Sequence, residues 1–380
     1  MRKGNYLLVV VLAALAFGSV SCTYYTNPEE PGFELPKPPE QGYVGADKCA
    51  ECHTGLHTQF LTTGHAHALS KVENGVAPTF PHTTVDFVPP YFSNGWNDVS
   101  YVIGGFAWRY LFTDANGYVY TGDDAQFNFA DNIAVPYRPD DAPGTIKFDC
   151  GKCHTTGWVS ADDGGIPPDG LVGFDGGFFE PNVQCEACHG MGALHAFSPS
   201  SENIMINTDA SACGSCHSRN EGAEISAAGG FISNYSQYDE MLSTGHKDLE
   251  YGCVSCHDPH ASVKHGETAG IVENCTECHK DIKNPTHNGA DCLTCHMPYA
   301  SKSATNTNKY VADIKTHIFK INPAADGEMF NAEGTIANGS SGVTLGYVCY
   351  QCHKDARGVG GSKTYKSLEE LSALASGYHE

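Results

Sequence analysis

Cysteine and histidine recur in this chain as one pentapeptide, Cys-x-x-Cys-His, found at Cys49–His53, Cys150–His154, Cys185–His189, Cys213–His217, Cys253–His257, Cys275–His279, Cys292–His296 and Cys349–His353. Two thiols three residues apart can add across a pair of porphyrin vinyl groups, and the histidine that follows can place a ring nitrogen on the iron. That is the attachment pattern of haem c. Zinc ribbons also use paired cysteines, but they need no histidine after every second one. A redox dithiol would need a single pair in a βαβ setting. Eight complete copies therefore predict eight haem c groups. The anchors are Cys49, Cys52, Cys150, Cys153, Cys185, Cys188, Cys213, Cys216, Cys253, Cys256, Cys275, Cys278, Cys292, Cys295, Cys349 and Cys352. The proximal iron ligands are His53, His154, His189, His217, His257, His279, His296 and His353.

Eleven of the 19 histidines remain outside the motifs. An iron closed by two imidazoles shuttles electrons, whereas one lacking a sixth protein ligand can take up an external molecule. The count permits eight complete pairs, which favours electron transfer. His195, His260 and His287 lie close to motifs and can reach a neighbouring haem, since each local iron already has its proximal ligand on one side. His57 lies one helical turn beyond His53 and points to the same side, so it is a weaker candidate. His379, one residue from the end of the chain, ranks lowest. Met297 directly follows His296 and is read as packing.

Elements must hold these groups in place. Residues 43–380 would serve eight haems at about 42 residues apiece, too few for an ordinary layered core around each cofactor. The expected fold is mainly α with low regular secondary structure: short helices carrying the motifs, wrapped around a stacked haem chain. Forty-two glycines and 20 prolines fit a loop-rich wrap. Motif spacing runs from 17 residues (Cys275 to Cys292) to 101 (Cys49 to Cys150). The longest interval has a different texture, with aromatic and β-branched runs on both sides of Asn116-Gly117, a two-residue hairpin signal. A β-rich insert is expected over residues 80–145, with small antiparallel strands near 99–129. Asp114 and Asn116 are assigned to turn chemistry, because an EF-hand's ligand run is missing. Leu61-Thr-Thr-Gly-His65 echoes Leu242-Ser-Thr-Gly-His246, suggesting matched ligand loops. Near the C-terminus, Ser367-Leu-Glu-Glu370 fits a capping box opening a short helix that stops at Gly377.

The seventeenth cysteine, Cys22, follows Arg2, Lys3 and an apolar run from Leu7 to Phe17. Residues 1–21 read as an export signal, too short for an ordinary membrane span. Cys22 stands where a lipoprotein would begin and is the expected lipidation site, although Ser19-x-Ser21 also suits the non-lipid peptidase. Residues 22–42 are rich in Pro and Glu and read as an extended spacer. The haem domain would thus be exported to the periplasm, outer membrane or cell surface, held by a lipid anchor. The net charge of −22 excludes nucleic acid as a partner, because phosphate backbones demand Lys and Arg contacts. It favours basic proteins and repels anions at long range, though a local basic pocket can override it.

Several strings carry a family resemblance: Gly45-Ala-Asp-Lys-Cys49-Ala-Glu-Cys-His with Thr-Gly-His65, Cys185-Glu-Ala-Cys-His-Gly with His195, Cys253-Val-Ser-Cys-His-Asp-Pro-His260, His287 before Cys292-Leu-Thr-Cys-His-Met-Pro, and Asp313-Ile-Lys-Thr-His317-Ile-Phe. Over nearly the whole mature chain they resemble the multihaem cytochrome superfamily that contains hydroxylamine oxidoreductase, pentahaem nitrite reductase, the octahaem nitrite and tetrathionate reductases and the tetrahaem carrier of ammonia oxidisers. The resemblance implies distal ligands at His65, His195, His246, His260, His287 and His317. For the last two irons the choice lies among His82, His265 and His67, with His82 and His265 preferred. Nitrite-reducing members carry Cys-x-x-Cys-Lys at the catalytic haem, and no such string occurs here. No residue is assigned the tyrosine cross-link of hydroxylamine oxidoreductase. The chain therefore resembles the carrier branch: an octahaem electron carrier whose partners are donor and acceptor cytochromes or quinol-linked complexes. The rival expectations are an oxidoreductase acting on nitrite, hydroxylamine or a sulfur oxyanion at one five-coordinate haem, and a subunit of an extracellular cytochrome filament.

Overall fold

The computed structural model describes residues 42–283, 287 and 289–379. The export segment, Cys22 and the spacer through Gln41 lie outside the described residues. All 19 histidines and all sixteen motif cysteines lie within them.

Helix is sparse and short: 25% of the described residues are helical and 19% are strand. The longest helix among the described residues, Leu368–Ala375, has 8 residues. The expectation of a mainly α chain with low regular structure and a small β insert is met in part: helix leads, but strand is nearly as common. The reason lies in the long interval without a motif, which must build its core from its own side chains. Its sheet is antiparallel in sequence order: β1 (Leu69–Lys71), β2 (Val99–Gly104), β3 (Arg109–Asp114), β4 (Gly122–Asn128) and β5 (Ile133–Tyr137). It thus reaches past 99–129 on both sides.

Alternation along β2 and β3 covers both faces of this sheet, because successive strand side chains point in opposite directions. Val102, Tyr110 and Phe112 join Phe92 and Phe127 on one face, under the 80–96 loop. Tyr101, Ile103 and Leu111 meet Phe148 and Phe174 on the other, with Cys150 and Trp158 packed alongside. The second face thereby joins the sheet to the Cys150 motif. The Asn116-Gly117 turn forms as expected: Gly117 takes φ +90°, and the Asp114 carboxylate accepts the backbone N–H of Asn116 at 2.8 Å and of Tyr118 at 3.0 Å. Asp114 does turn chemistry.

A second sheet joins distant segments: β8 (Ser301–Lys302), β7 (Phe231–Ser233), β6 (Ile225–Ala228) and β9 (Ile336–Ala337), in that spatial order. Ile225, Ile232, Ile318, Met329 and Val343 are buried around it, with Cys295 and Cys349 at the margin. The capping box is present, with reciprocal Ser367 and Glu370 contacts.

Candidate haem sites

Each motif lies on or beside a single helical turn. The turns are Ala46–Ala50, Gly151–His154, Cys185–His189, Ala210–Gly214, Gly252–Ser255, Cys275–Cys278, Cys292–His296 and Leu345–Cys349. Residues i, i+3 and i+4 of a helix share one face, so one turn presents both thiols and the imidazole together. Backbone bonds from the motif histidine to the first cysteine close that turn, as in His53 N to Cys49 O at 2.9 Å and His353 N to Cys349 O at 2.9 Å.

Seven motif histidines face a second histidine at nearly constant spacing. Ring centroids lie 6.1 Å apart for His53 and His195, 6.1 Å for His217 and His65, and 6.1 Å for His189 and His260. The separation is 6.2 Å for His257 and His317, 6.0 Å for His279 and His246, 5.9 Å for His296 and His379, and 6.1 Å for His353 and His287. Two imidazoles trans on one metal, at the ~2.0 Å bond typical of His–metal contacts and with each ring centre roughly 1.1 Å behind its nitrogen, have centroids about 6.2 Å apart. Stacked rings in van der Waals contact would be nearer. The spacing would admit an iron between the two imidazoles of each pair.

Hydrogen bonding selects the same nitrogen. Nδ1 faces a backbone carbonyl in His154 (Ala68, 2.8 Å), His189 (Met205, 2.8 Å), His195 (Ser200, 2.9 Å), His296 (Phe319, 2.6 Å), His353 (Thr364, 3.1 Å) and His379 (Lys283, 2.7 Å). In His260 it faces the Asp258 carboxylate at 2.9 Å. Donating Nδ1–H fixes the tautomer and leaves Nε2 for a metal. Burial reinforces this by keeping the rings neutral. It pushes His65 down to about 4, with His217 adding to the effect, and it also lowers His154, His217 and His257.

His67 and His265 do the opposite. Each commits Nε2 to a carbonyl, Leu61 at 2.9 Å and Phe106 at 2.6 Å. His82 stacks on His265 with centroids 4.8 Å apart, too close for an intervening metal. The structure therefore does not set His82 or His265 opposite a motif histidine. His379, ranked lowest by its position near the end of the chain, faces His296 instead. The capped helix Leu368–Ala375 anchors the tail that carries it, and that was the signal available in the sequence. The two Thr-Gly-His strings behave alike: His65 and His246 each sit on a 3-10 turn and cross their partners at 74° and 69°.

Contacts between thiols place the attachment points in order. The free thiols of Cys49 and Cys185 are hydrogen-bonded to each other, as are those of Cys153 and Cys216 and of Cys213 and Cys253, and Cys275 makes contact with Cys292. Cys188 lies close to Cys213 and Cys216, Cys256 to Cys275 and Cys278, and Cys295 to Cys352. The motifs beginning at 49, 185, 213, 253, 275, 292 and 349 thus form a line, and the one at 150 branches from that at 213. A largely apolar cavity of ≈ 3210 Å³ runs continuously past six motifs, from Cys150 to Cys352. Two thiols, a neutral imidazole and an apolar wall fit haem c.

The remaining two motifs are held together by two carboxylates, the buried Glu186 and the half-buried Glu180. Glu186 accepts the backbone N–H groups of Val44, Gly45 (2.8 Å) and Gly192 (2.6 Å). Glu180 accepts that of Ala46. These bonds clamp the first motif turn to the third.

Comparison with known proteins agrees. The "Cytochrome c554 and c-prime" family model matches residues 134–190, and the "Doubled CXXCH motif" model matches 246–284. Over these segments the chain is similar to multihaem c-type cytochromes. The C-type polyheme cytochrome OmcB of Geobacter sulfurreducens is 23% identical over 59% of this chain, and the match spans only 33% of that relative. Among solved structures, the octaheme sulfite reductase MccA of Wolinella succinogenes superposes with a TM-score of 0.55 at 16% identity, covering 89% of this chain and 67% of MccA. The outer cell wall cytochrome OcwA gives 0.51 at 19% identity, covering 87% of this chain and 86% of OcwA. These likenesses establish the fold. No helix among the described residues is long and apolar enough to cross a membrane.

Proposed function

We propose that this cytochrome conducts single electrons along seven bis-histidine haems in the order of the thiol contacts, with an eighth haem at Cys150–His154 as a side branch. The observation that carries this reading is the set of seven imidazole pairs at 5.9–6.2 Å. When bound, each haem supplies the Fe(III)/Fe(II) couple. The chain's own residues fix the positions: cysteines at neighbouring motifs hold successive attachment points in contact, and distal histidines lace one motif segment to another. His195, for example, follows the third motif and faces the first. His317 follows the seventh and faces the fifth. A second imidazole lowers the potential relative to methionine and leaves no site for chemistry at those irons.

Export with lipidation at Cys22 would place this conduit in the periplasm or at the cell surface, a setting close to that of OcwA, an outer cell wall cytochrome. Its partners would then be donor and acceptor redox proteins with basic docking faces, given the charge of −22. The test is an anaerobic transfer experiment on the holoprotein, reduced with dithionite and mixed with excess oxidised basic cytochrome c. Delivery of eight electrons per chain at a rate falling with ionic strength is expected; fewer than seven delivered electrons would contradict the conduit. MccA is a sulfite reductase, which keeps an enzyme reading in view, and His154 is the residue that favours it.

A further inference from the structure

Ring angles divide the imidazole pairs into two groups and one exception. The rings lie 6–22° from parallel in His53–His195, His189–His260 and His296–His379. They cross at 63–74° in His65–His217, His246–His279 and His287–His353. His257 and His317 stand between the groups, at 43°. His317 is unusual in a second way, shared with His246: its Nδ1 is buried and meets no acceptor. The Lys315 carbonyl comes near that nitrogen without hydrogen-bond geometry. In both residues a side-chain oxygen takes the backbone N–H instead, Thr244 Oγ1 for His246 at 3.2 Å and Glu240 Oε2 for His317. A ring with no anchor of its own is placed through its backbone.

Glu240 is 1% exposed and lies on the helix Gln237–Leu242, which follows the fourth motif. Its Oε2 accepts the Thr316 hydroxyl as well as His317 N, and Oε1 accepts the Ser301 hydroxyl at 3.3 Å. Thr316 Oγ1 in turn accepts Ile318 N at 3.1 Å, and Thr316 N donates to Pro298 O at 3.0 Å. The backbone on both sides of His317 is thus fixed around one carboxyl group. Among the described residues no cation pairs with it. The neighbouring Asp239 carboxylate is turned away, to Ser218 Oγ and the backbone N–H groups of Arg219 and Gly222. An aliphatic side chain would fill the same space without desolvating a carboxyl group, so packing alone does not account for Glu240. Oε2 accepts in either protonation state, and the contact therefore does not depend on charge.

We propose that Glu240 is a positioning residue for the haem of Cys253, Cys256 and His257. By holding the His317 backbone it sets the angle between the two axial imidazoles and keeps His317 on the iron. This deepens the conduit reading and rests on the His257–His317 pair alone. The angle matters because the two imidazole planes split the iron d orbitals, which fixes the g-anisotropy of a low-spin ferric centre.

The test follows the oxidised holoprotein by low-temperature EPR, with His317→Ala identifying the low-spin signal of this haem. In Glu240→Ala that signal should shift, and the ratio of detached to bound His317 should rise about tenfold, the lower end for losing an outer partner of a metal ligand. The detached form is read as high-spin iron at this haem. Glu240→Gln keeps an acceptor oxygen and should restore the wild-type signal. Should the alanine variant fail to mature, Thr316→Val, which removes one donor, must still shift the signal in the same direction and by less. Ile318 is fully buried in the adjoining core, so Ile318→Ala is the packing control: it should lower the unfolding midpoint and leave the signal in place. An unmoved signal in both Glu240→Ala and Thr316→Val overturns the proposal, as does an equal shift in Ile318→Ala or no recovery in Glu240→Gln. If His317→Ala removes no low-spin signal, the His257–His317 pairing falls and the proposal with it, a result distinguishable from the others.

Discussion

The five-stranded sheet and the segment from Cys253 to His296 organise the chain in opposite ways. In the sheet, Tyr110 and Phe112 are wholly buried, and aromatic side chains pack on both faces. Across residues 271–280 no residue is buried by the polypeptide, and three motifs crowd into the surrounding stretch. One region encloses its own apolar side chains; the other lines a cavity with thiols and imidazoles. The contrast shows where each gets its stability: from side-chain packing in the first, and from covalently attached porphyrin in the second.

The strongest way to break this comparison is to make the chain in a host lacking cytochrome c maturation. Hydrogen exchange should then show protection retained in β2, β3 and β4 and lost from residues 246–296. Uniform protection, or uniform loss, would show that the two regions do not differ. Next in size, Phe112→Ala should cost about 3–5 kcal/mol of sheet stability, the range for truncating a buried aromatic. Denaturant unfolding followed by tryptophan fluorescence would measure it, with the spectra of the seven His-opposed haems unchanged. At the junction of the first and third motifs, Glu186→Ala should cost roughly 2–4 kcal/mol, because it orphans buried backbone donors. It should also perturb the haems at His53 and His189 before any other. Removing the C-terminal cap with Ser367→Ala should cost about 1 kcal/mol and loosen His379, seen as a small high-spin fraction growing with temperature.

The smallest effect is a pH dependence at Asp355, which is buried beside Lys309 and Arg357. Burial alone would raise its pKa, but hydrogen bonds from Tyr310, Val359 N, Lys309 and Arg357 N outweigh it and hold the carboxylate well below its usual range. A depressed folded pKa stabilises the native state above the unfolded value of about 3.9, and that stability is lost as pH falls towards the folded value. Asp355→Asn should therefore lower the thermal midpoint at pH 7, with the gap narrowing below about pH 4. A constant gap across pH would show that the contact is steric.

Much of the site was legible because the chemistry is written in contiguous residues. One helical turn carries each anchor set, so Cys49–His53 and its seven counterparts could be read directly. The Asn116-Gly117 turn and the Ser367 cap were legible for the same reason. Pairing across long separations was not. His379 ranked low by its place near the end, yet an eight-residue helix with a reciprocal cap holds it against His296. His82 and His265 ranked higher by elimination, and only the choice of ring nitrogen, with Nε2 of His265 committed to Phe106, reveals their different role. The mainly α expectation held only in part: helix exceeds strand by a small margin, because the interval without a motif, where a β insert was expected, builds a sheet larger than 99–129.

The central claim is that seven irons are closed by two imidazoles and that the one at His154 is not. Spin quantification by low-temperature EPR on the fully oxidised holoprotein tests it directly. We expect seven low-spin ferric centres and one high-spin centre per chain, the latter abolished when Cys150→Ala and Cys153→Ala together remove the haem attachment. Eight low-spin centres, or more than one high-spin centre in the wild type, would contradict it.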